Sequence, residues 1–109
     1  MTNKGEIWLA NLPQYDGKEQ LGKRPVLIIS DVTSNILITI PITSNLSTIK
    51  YQHTIKIDHS NTNRLNKESV ALIFQIQATD KRRLIHKIGS LEQNYINQIN
   101  TQLKTLLKL

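Results

Sequence analysis

Cysteine is absent from this sequence. That excludes disulfides, thiolate nucleophiles and any zinc site built on cysteine. No apolar run reaches the roughly eighteen residues that a membrane-spanning helix needs. The opening residues, Met1 to Gly5, are polar and lack the apolar stretch of a secretory signal. The cytoplasm is therefore the expected location, and no membrane partner is expected. There is no Walker loop, no dinucleotide fingerprint and no Gly-x-Ser-x-Gly elbow. The three histidines, His53, His59 and His86, have no ligand-like spacing, and no carboxylate cluster joins them. Neither a metal site nor a cofactor is expected.

What is present is a basic chain of ordinary hydrophobicity. Lys and Arg number 14 against 8 acidic residues, a net charge of +6, and apolar residues make up 39% of the 109. An excess of this size favours a polyanionic partner, though a basic surface with no special partner fits the charge equally well. The length suits one domain, residues 1–109, with a single modest core. No repeat, low-complexity tract or linker divides it.

Glu6 to Leu12 (EIWLANL) reads as a first strand, ended by Pro13. Gln14 to Lys23 is polar and holds two glycines, the composition of a long loop. Pro25 to Ser30 (PVLIIS) and Ile36 to Ile42 (ILITIPI) are β-branched runs. Pro25 stands at a strand start, and Pro41 implies an edge or a bulge. His53 to Asp58 alternates, and Ser69 to Ile76 (SVALIFQI) is strongly apolar. The period then changes. Leu91, Tyr95, Ile96, Ile99, Leu103, Leu106 and Leu107 recur at helical spacing. Ser90 and Gln93 have the spacing of a capping box. The expected order is about five strands, a basic segment and one amphipathic helix. That is an α+β fold with a small, strongly bent sheet or barrel.

Polar residues at strand ends are the candidates for chemistry. Arg24 lies between the loop and an apolar strand, where its guanidinium can fork onto a phosphate or pair with a carboxylate. Thr43 and Ser44 follow Pro41 and Ile42. Their hydroxyls can donate to a phosphate oxygen or bond a turn backbone. Gln75, inside an apolar strand, can read a base edge or satisfy a neighbour. Lys81, Arg82 and Arg83 can neutralise phosphates or form a solvated face. Trp8 and Tyr15 can stack on bases, although Trp8 also suits a core.

Taken in order, these segments resemble a known family. Gly5-Glu6-Ile7-Trp8, the run from Gly17 to Ser30 (GKEQLGKRPVLIIS), and Pro41-Ile42-Thr43-Ser44 are similar to motifs of the MazF/PemK toxins. So are Ser69 to Leu72 with Gln75-Ile76, Thr79 to Leu84, and Ile88-Gly89-Ser90-Leu91. The resemblance spans nearly the whole chain. It implies an SH3-like β-barrel with a C-terminal helix, assembled as a homodimer. It also implies a metal-independent, sequence-selective endoribonuclease, the toxin of a type II toxin–antitoxin pair. Its substrate would be single-stranded RNA, and its partner an antitoxin with an acidic disordered tail. By motif position, Arg24 would bind phosphate and handle the proton, and Thr43 would donate to the phosphate as charge builds. Glu19, Gln20, Ser44, Gln75 and Gln77 would contact RNA. The chain departs from the family at Phe74, where an acid is usual, at Leu72, where one branch has a catalytic arginine, and at Gln77 and Leu21. The arrangement pairing that acid with that arginine is thus unavailable, leaving Arg24 and Thr43. Two other readings of the same fold are a non-catalytic toxin that binds a protein such as gyrase, and a co-repressor.

Overall fold

The computed structural model describes residues 2–12 and 22–109. The expectations placed on Pro13, Tyr15, Glu19, Gln20 and Leu21 lie outside the described residues. The strands are β1 (Glu6–Asn11), β2 (Lys23–Asp31), β3 (Ile36–Thr43), β4 (Thr54–Ile57), β5 (Ser69–Leu72), β6 (Gln77–Asp80) and β7 (Leu84–Ser90), and one helix, α1 (Gln93–Leu107), follows them. Short 3₁₀ turns occupy Leu46–Lys50, Ile73–Gln75 and Lys81–Arg83. The fold is α+β, as the residue pattern indicates. Its sheet is antiparallel, in the order β4-β5-β3-β2-β1-β7, with β6 also on β3. Among the described residues β6 pairs only with β3, and β7 only with β1. The sheet is therefore bent and SH3-like without closing into a continuous ring.

The split of one long strand into β5 and β6 produces the bend. Both pair with β3, at its two ends: Thr43 lies opposite Val70 and Thr39 opposite Gln77. Four steps along β3 thus correspond to seven along its partner. The three extra residues are the 3₁₀ turn Ile73–Gln75. An insertion of this kind kinks a strand and re-aims its neighbours. Pro41 faces this gap. It stays opposite Val26 of β2 on one side, while on the other it falls in the irregularity between β5 and β6, where no pairing residue is lost. The strand expected over Ser69 to Ile76 accordingly ends at Leu72. Ile73 is buried and Phe74 and Gln75 are exposed.

Two apolar clusters sit on opposite faces of the sheet. The larger gathers Ile7, Leu27, Ile40, Ile42, Ile55, Ile57, Leu65, Ala71 and Ile73 against Leu91, Ile96 and Ile99. The smaller contains Ala10, Leu12 and Val26, with Trp8 and Leu84 half-buried against it. Alternation along β1 and β2 sends successive residues to opposite clusters. That is why β2 is an unbroken apolar run although the sheet is antiparallel. Burying a side chain of Val, Leu or Ile size stabilises the fold by roughly 1.5–3 kcal/mol. Gly5 takes φ +94 and its N–H bonds the Ile28 carbonyl, while its own carbonyl accepts from Leu91 N–H. A left-handed backbone here suits glycine and ties β2 to the helix entry.

The helix begins differently from the Ser90–Gln93 expectation. Ser90 ends β7 and its N–H donates to the Thr62 carbonyl. The N-cap is Glu92, whose side chain makes no cap bond. Its carboxylate instead accepts from Ser60 Oγ at 2.7 Å and Asn63 Nδ2 at 3.0 Å. Leu84–Ser90, which no expected strand covered, is a strand on β1, its alternation masked by exposed His86 and Lys87. His53, expected on a strand surface, has φ 59 in the bend before β4.

Candidate functional site

The candidate site is a fork between β2 and β3. Their register runs from Asp31 opposite Leu37 to Val26 opposite Pro41 and stops there. Pro25 and Pro41 stand at this limit, and proline brings no N–H to a ladder. Beyond it each strand is held by its outer neighbour. Arg24 and Lys23 remain opposite Ala10 and Asn11 of β1. Ile42 and Thr43 remain opposite Ala71 and Val70 of β5. The strands diverge around a cleft of about 440 Å³, lined by Lys23, Arg24, Pro25, Ile42, Thr43, Ser44 and Asn45.

The cleft holds two cations and no carboxylate among its described lining residues. Arg24 and Thr43 are half-buried, and Ser44 is exposed. The Thr43 Oγ1 accepts from the Asn45 N–H at 3.1 Å. That bond uses an oxygen lone pair and leaves the hydroxyl hydrogen to be directed into the cleft. Asn45 then accepts from Ser47 N–H and Ser47 Oγ, and its backbone carbonyl accepts from Thr48 Oγ1. These bonds cap the 3₁₀ turn Leu46–Lys50 and fix the wall that carries Thr43.

The other wall is fixed at Gly22. Leu12 N–H donates to the Gly22 carbonyl at 2.7 Å, and a Cβ on Gly22 would collide with the Leu12 carbonyl. Only glycine allows this approach, which draws the start of β2 against the end of β1. Arg83 adds a third cation nearby. Its guanidinium donates to the Asn11 carbonyl at 3.0 Å, and Asn11 lies opposite Lys23. Arg82 is engaged by Asp80 instead, at 2.8 Å. That hydrogen bond and the Arg82 N–H bring the Asp80 carboxyl down to about 2. Lys81 pairs with Asp31 at 2.6 Å. Of the basic run, Arg83 alone is seen reaching the end of β1.

Trp8 lies outside the main core. Its Nε1–H donates to Glu6 at 3.0 Å, and Lys87 pairs with the same carboxylate at 3.3 Å. Burial raises the Glu6 carboxyl, but the bonds from Trp8, Asn3 and Lys87 outweigh it and leave the group below its ordinary value.

The expected site residues thus fall into three sets. Arg24, Thr43 and Ser44 share the cleft. Gln77 is half-buried opposite Thr39, further along β3, and Gln75 is exposed in the 3₁₀ turn; neither lines the cleft. Glu19 and Gln20 are outside the described residues. Lys23 and Asn45 line the cleft without having been singled out. A cation beside Arg24, and an asparagine after Thr-Ser at a strand end, were the available signals.

The profile of PemK-like, MazF-like toxins of type II toxin–antitoxin systems matches residues 3–107. The chain belongs to this toxin family. It is 34% identical over 113 aligned positions to the endoribonuclease MazF of Staphylococcus saprophyticus, covering 100% of this chain and 93% of that one. Among solved structures, a MazF from Deinococcus radiodurans superposes with a TM-score of 0.75 at 24% identity, over 99% of this chain and 97% of the other. An endoribonuclease in complex with its cognate antitoxin, from a mycobacterial species, gives 0.67 at 20% identity, over 97% and 92%. These likenesses establish the fold. Within it, Phe74 exposes an apolar ring beside Gln75. Among the described residues, no group of three or more His, Asp and Glu side chains is placed to hold a metal ion. No described helix is long and apolar enough to cross a membrane.

Proposed function

We propose that this toxin is an endoribonuclease that cuts single-stranded RNA at the fork between β2 and β3. The observation that carries this reading is the cleft that brings Arg24, Thr43 and Ser44 together on divergent strands. The similarity to an endoribonuclease MazF over the whole chain supports it. In the proposed reaction the ribose 2′-oxygen attacks the adjacent phosphorus and the bond to the 5′-oxygen breaks. The proton lost by the 2′-hydroxyl is balanced by one gained at the leaving 5′-oxygen. The ends are a 2′,3′-cyclic phosphate and a 5′-hydroxyl. An internal nucleophile requires orientation and charge stabilisation rather than a protein nucleophile. Arg24 binds the phosphate and handles the proton, and Thr43 donates to it as negative charge develops. Ser44, Glu19, Gln20, Gln75 and Gln77 contact the strand. Unpaired RNA is the substrate, because an A-form duplex hides its base edges. No cofactor is required.

The toxin acts as a homodimer in the cytoplasm. An antitoxin with an acidic, disordered tail neutralises it by folding onto the basic rim of Lys23, Arg24 and Arg83. The test is incubation of the purified chain with a long single-stranded RNA in EDTA, with mapping of cut sites and end groups. Discrete cuts with cyclic-phosphate ends, lost in Arg24→Ala, are expected. No cutting by the folded, antitoxin-free protein would replace this reading with that of a protein-binding toxin.

A further inference from the structure

An aromatic pair lies outside both apolar clusters. Tyr51 and Phe74 meet edge to face, with ring centroids 5.7 Å apart and planes at 60°. Tyr51 is 51% exposed and Phe74 38%. The Lys50 ammonium sits 5.4 Å from the Tyr51 ring centroid. Gln75, exposed, follows Phe74 in the same 3₁₀ turn. The backbone holds the pair in place, since Phe74 N–H donates to the His53 carbonyl and Tyr51 N–H to that of Thr48.

The pair is continuous with the cleft by two routes. The 3₁₀ turn Leu46–Lys50 runs from the Thr43–Asn45 wall to Tyr51. Strand β5 runs from Val70, opposite Thr43, to the turn that holds Phe74. Four residues along β5 and its turn correspond to a separation on the order of 10 Å. That is within the span of a short single strand lying in the cleft.

We infer that Tyr51 and Phe74 form a stacking platform for one unpaired base of the RNA, outside the scissile step. Gln75 meets the edge of that base and Lys50 its phosphate. The inference rests on the ribonuclease reading. Exposed aromatic faces beside a cation are what single-stranded nucleic acid requires: stacking supplies affinity and the cation neutralises the backbone. A carboxylate at position 74 would repel that backbone, and Phe74 removes the charge and supplies a ring. The platform selects by stacking strength, with Gln75 adding hydrogen-bond readout.

The test uses an RNA spanning the mapped cut site, with the 2′-hydroxyl at the scissile step replaced by hydrogen so that it binds without being cut. Each other nucleotide is made abasic in turn, and affinities are measured for the wild type and for Tyr51→Ala/Phe74→Ala. One abasic position is expected to weaken wild-type binding about tenfold or more, and to cost the double variant nothing further. Tyr51→Trp keeps a stacking ring, and its fluorescence above that of Trp8 should be quenched by RNA. If no abasic penalty depends on the pair, or if Tyr51→Trp shows no added quench, the platform does not exist. Loss of self-association in the double variant, with RNA affinity unchanged, would assign the pair to a protein interface and overturn the inference. Failure of the wild type to cut any RNA would overturn the ribonuclease reading instead.

Discussion

Thr43 illustrates how one side chain can serve both fold and chemistry. Its oxygen accepts from Asn45 N–H and so shapes the wall of the cleft. Its hydrogen is the part the reaction would use. Thr43→Val should therefore lower kcat by about 10²-fold, the scale for losing one donor to transition-state charge. Thr43→Ser should recover most of it. Equal loss in both variants would show that packing of the threonine side chain, and not its hydroxyl, matters. Glu92 is a second single residue with a separable role. Burial raises its carboxyl, but Ser60, its own backbone and Asn63 hold the group below its ordinary 4.5. A lowered folded value means the stabilisation is complete above that pH and is lost as pH falls through the lowered value. Glu92→Gln, which leaves one acceptor oxygen for the two donors Ser60 Oγ and Asn63 Nδ2, should cost about 1–3 kcal/mol at neutral pH. Its unfolding should also depend less on pH in the acid range. An unchanged acid limb, followed by circular dichroism, would remove Glu92 from that account.

At the scale of elements, the sheet depends on a polar contact within an apolar setting. Thr39 of β3 and Thr79 of β6 are both buried, and their hydroxyls meet at 2.9 Å. This contact locks β6 to the N-terminal half of β3, beyond the turn at Ile73–Gln75. Thr39→Val alone should destabilise by about 1–3 kcal/mol, because it strands the Thr79 hydroxyl. Thr39→Val/Thr79→Val should cost much less. Additive losses in a denaturant cycle would show the two residues to be uncoupled. The interrupted strand is also where sequence pattern and structure part. SVALIFQI reads as one strand because Ile73 and Ile76 continue the apolar run. Nothing local distinguishes a residue that pairs with β3 from one that loops out. The helix was legible, because Ile96, Ile99, Leu103 and Leu106 recur at three- and four-residue steps and pack on the core as that period requires, while Leu91 sits just before the helix. Its start was not, since Ser90 and Gln93 fit a capping box locally while Ser90 is claimed by β7 and Thr62.

At the scale of the molecule, the apolar side chains of Val32, Ile85 and Leu107 are exposed at separate places, between β2 and β3, on β7 and at the end of α1. β7 also presents an edge that pairs with no other strand among the described residues. That open edge supports the proposed homodimer. Light scattering at micromolar concentration should give twice the 12.5 kDa chain mass. A monomeric mass would leave the RNA cleft to be completed within one chain. The residue order alone determined the chain's basic charge, its strand-rich body with a closing helix, and Arg24 and Thr43 as candidates, because apolar period, proline placement and motif order are local properties. The fork itself was decided only in three dimensions. Where β2 and β3 cease to pair depends on β1 holding Arg24 and β5 holding Thr43, two contacts between residues far apart in the chain. The Tyr51–Phe74 platform likewise exists only because a turn in the sheet carries Phe74 out of the core to meet Tyr51.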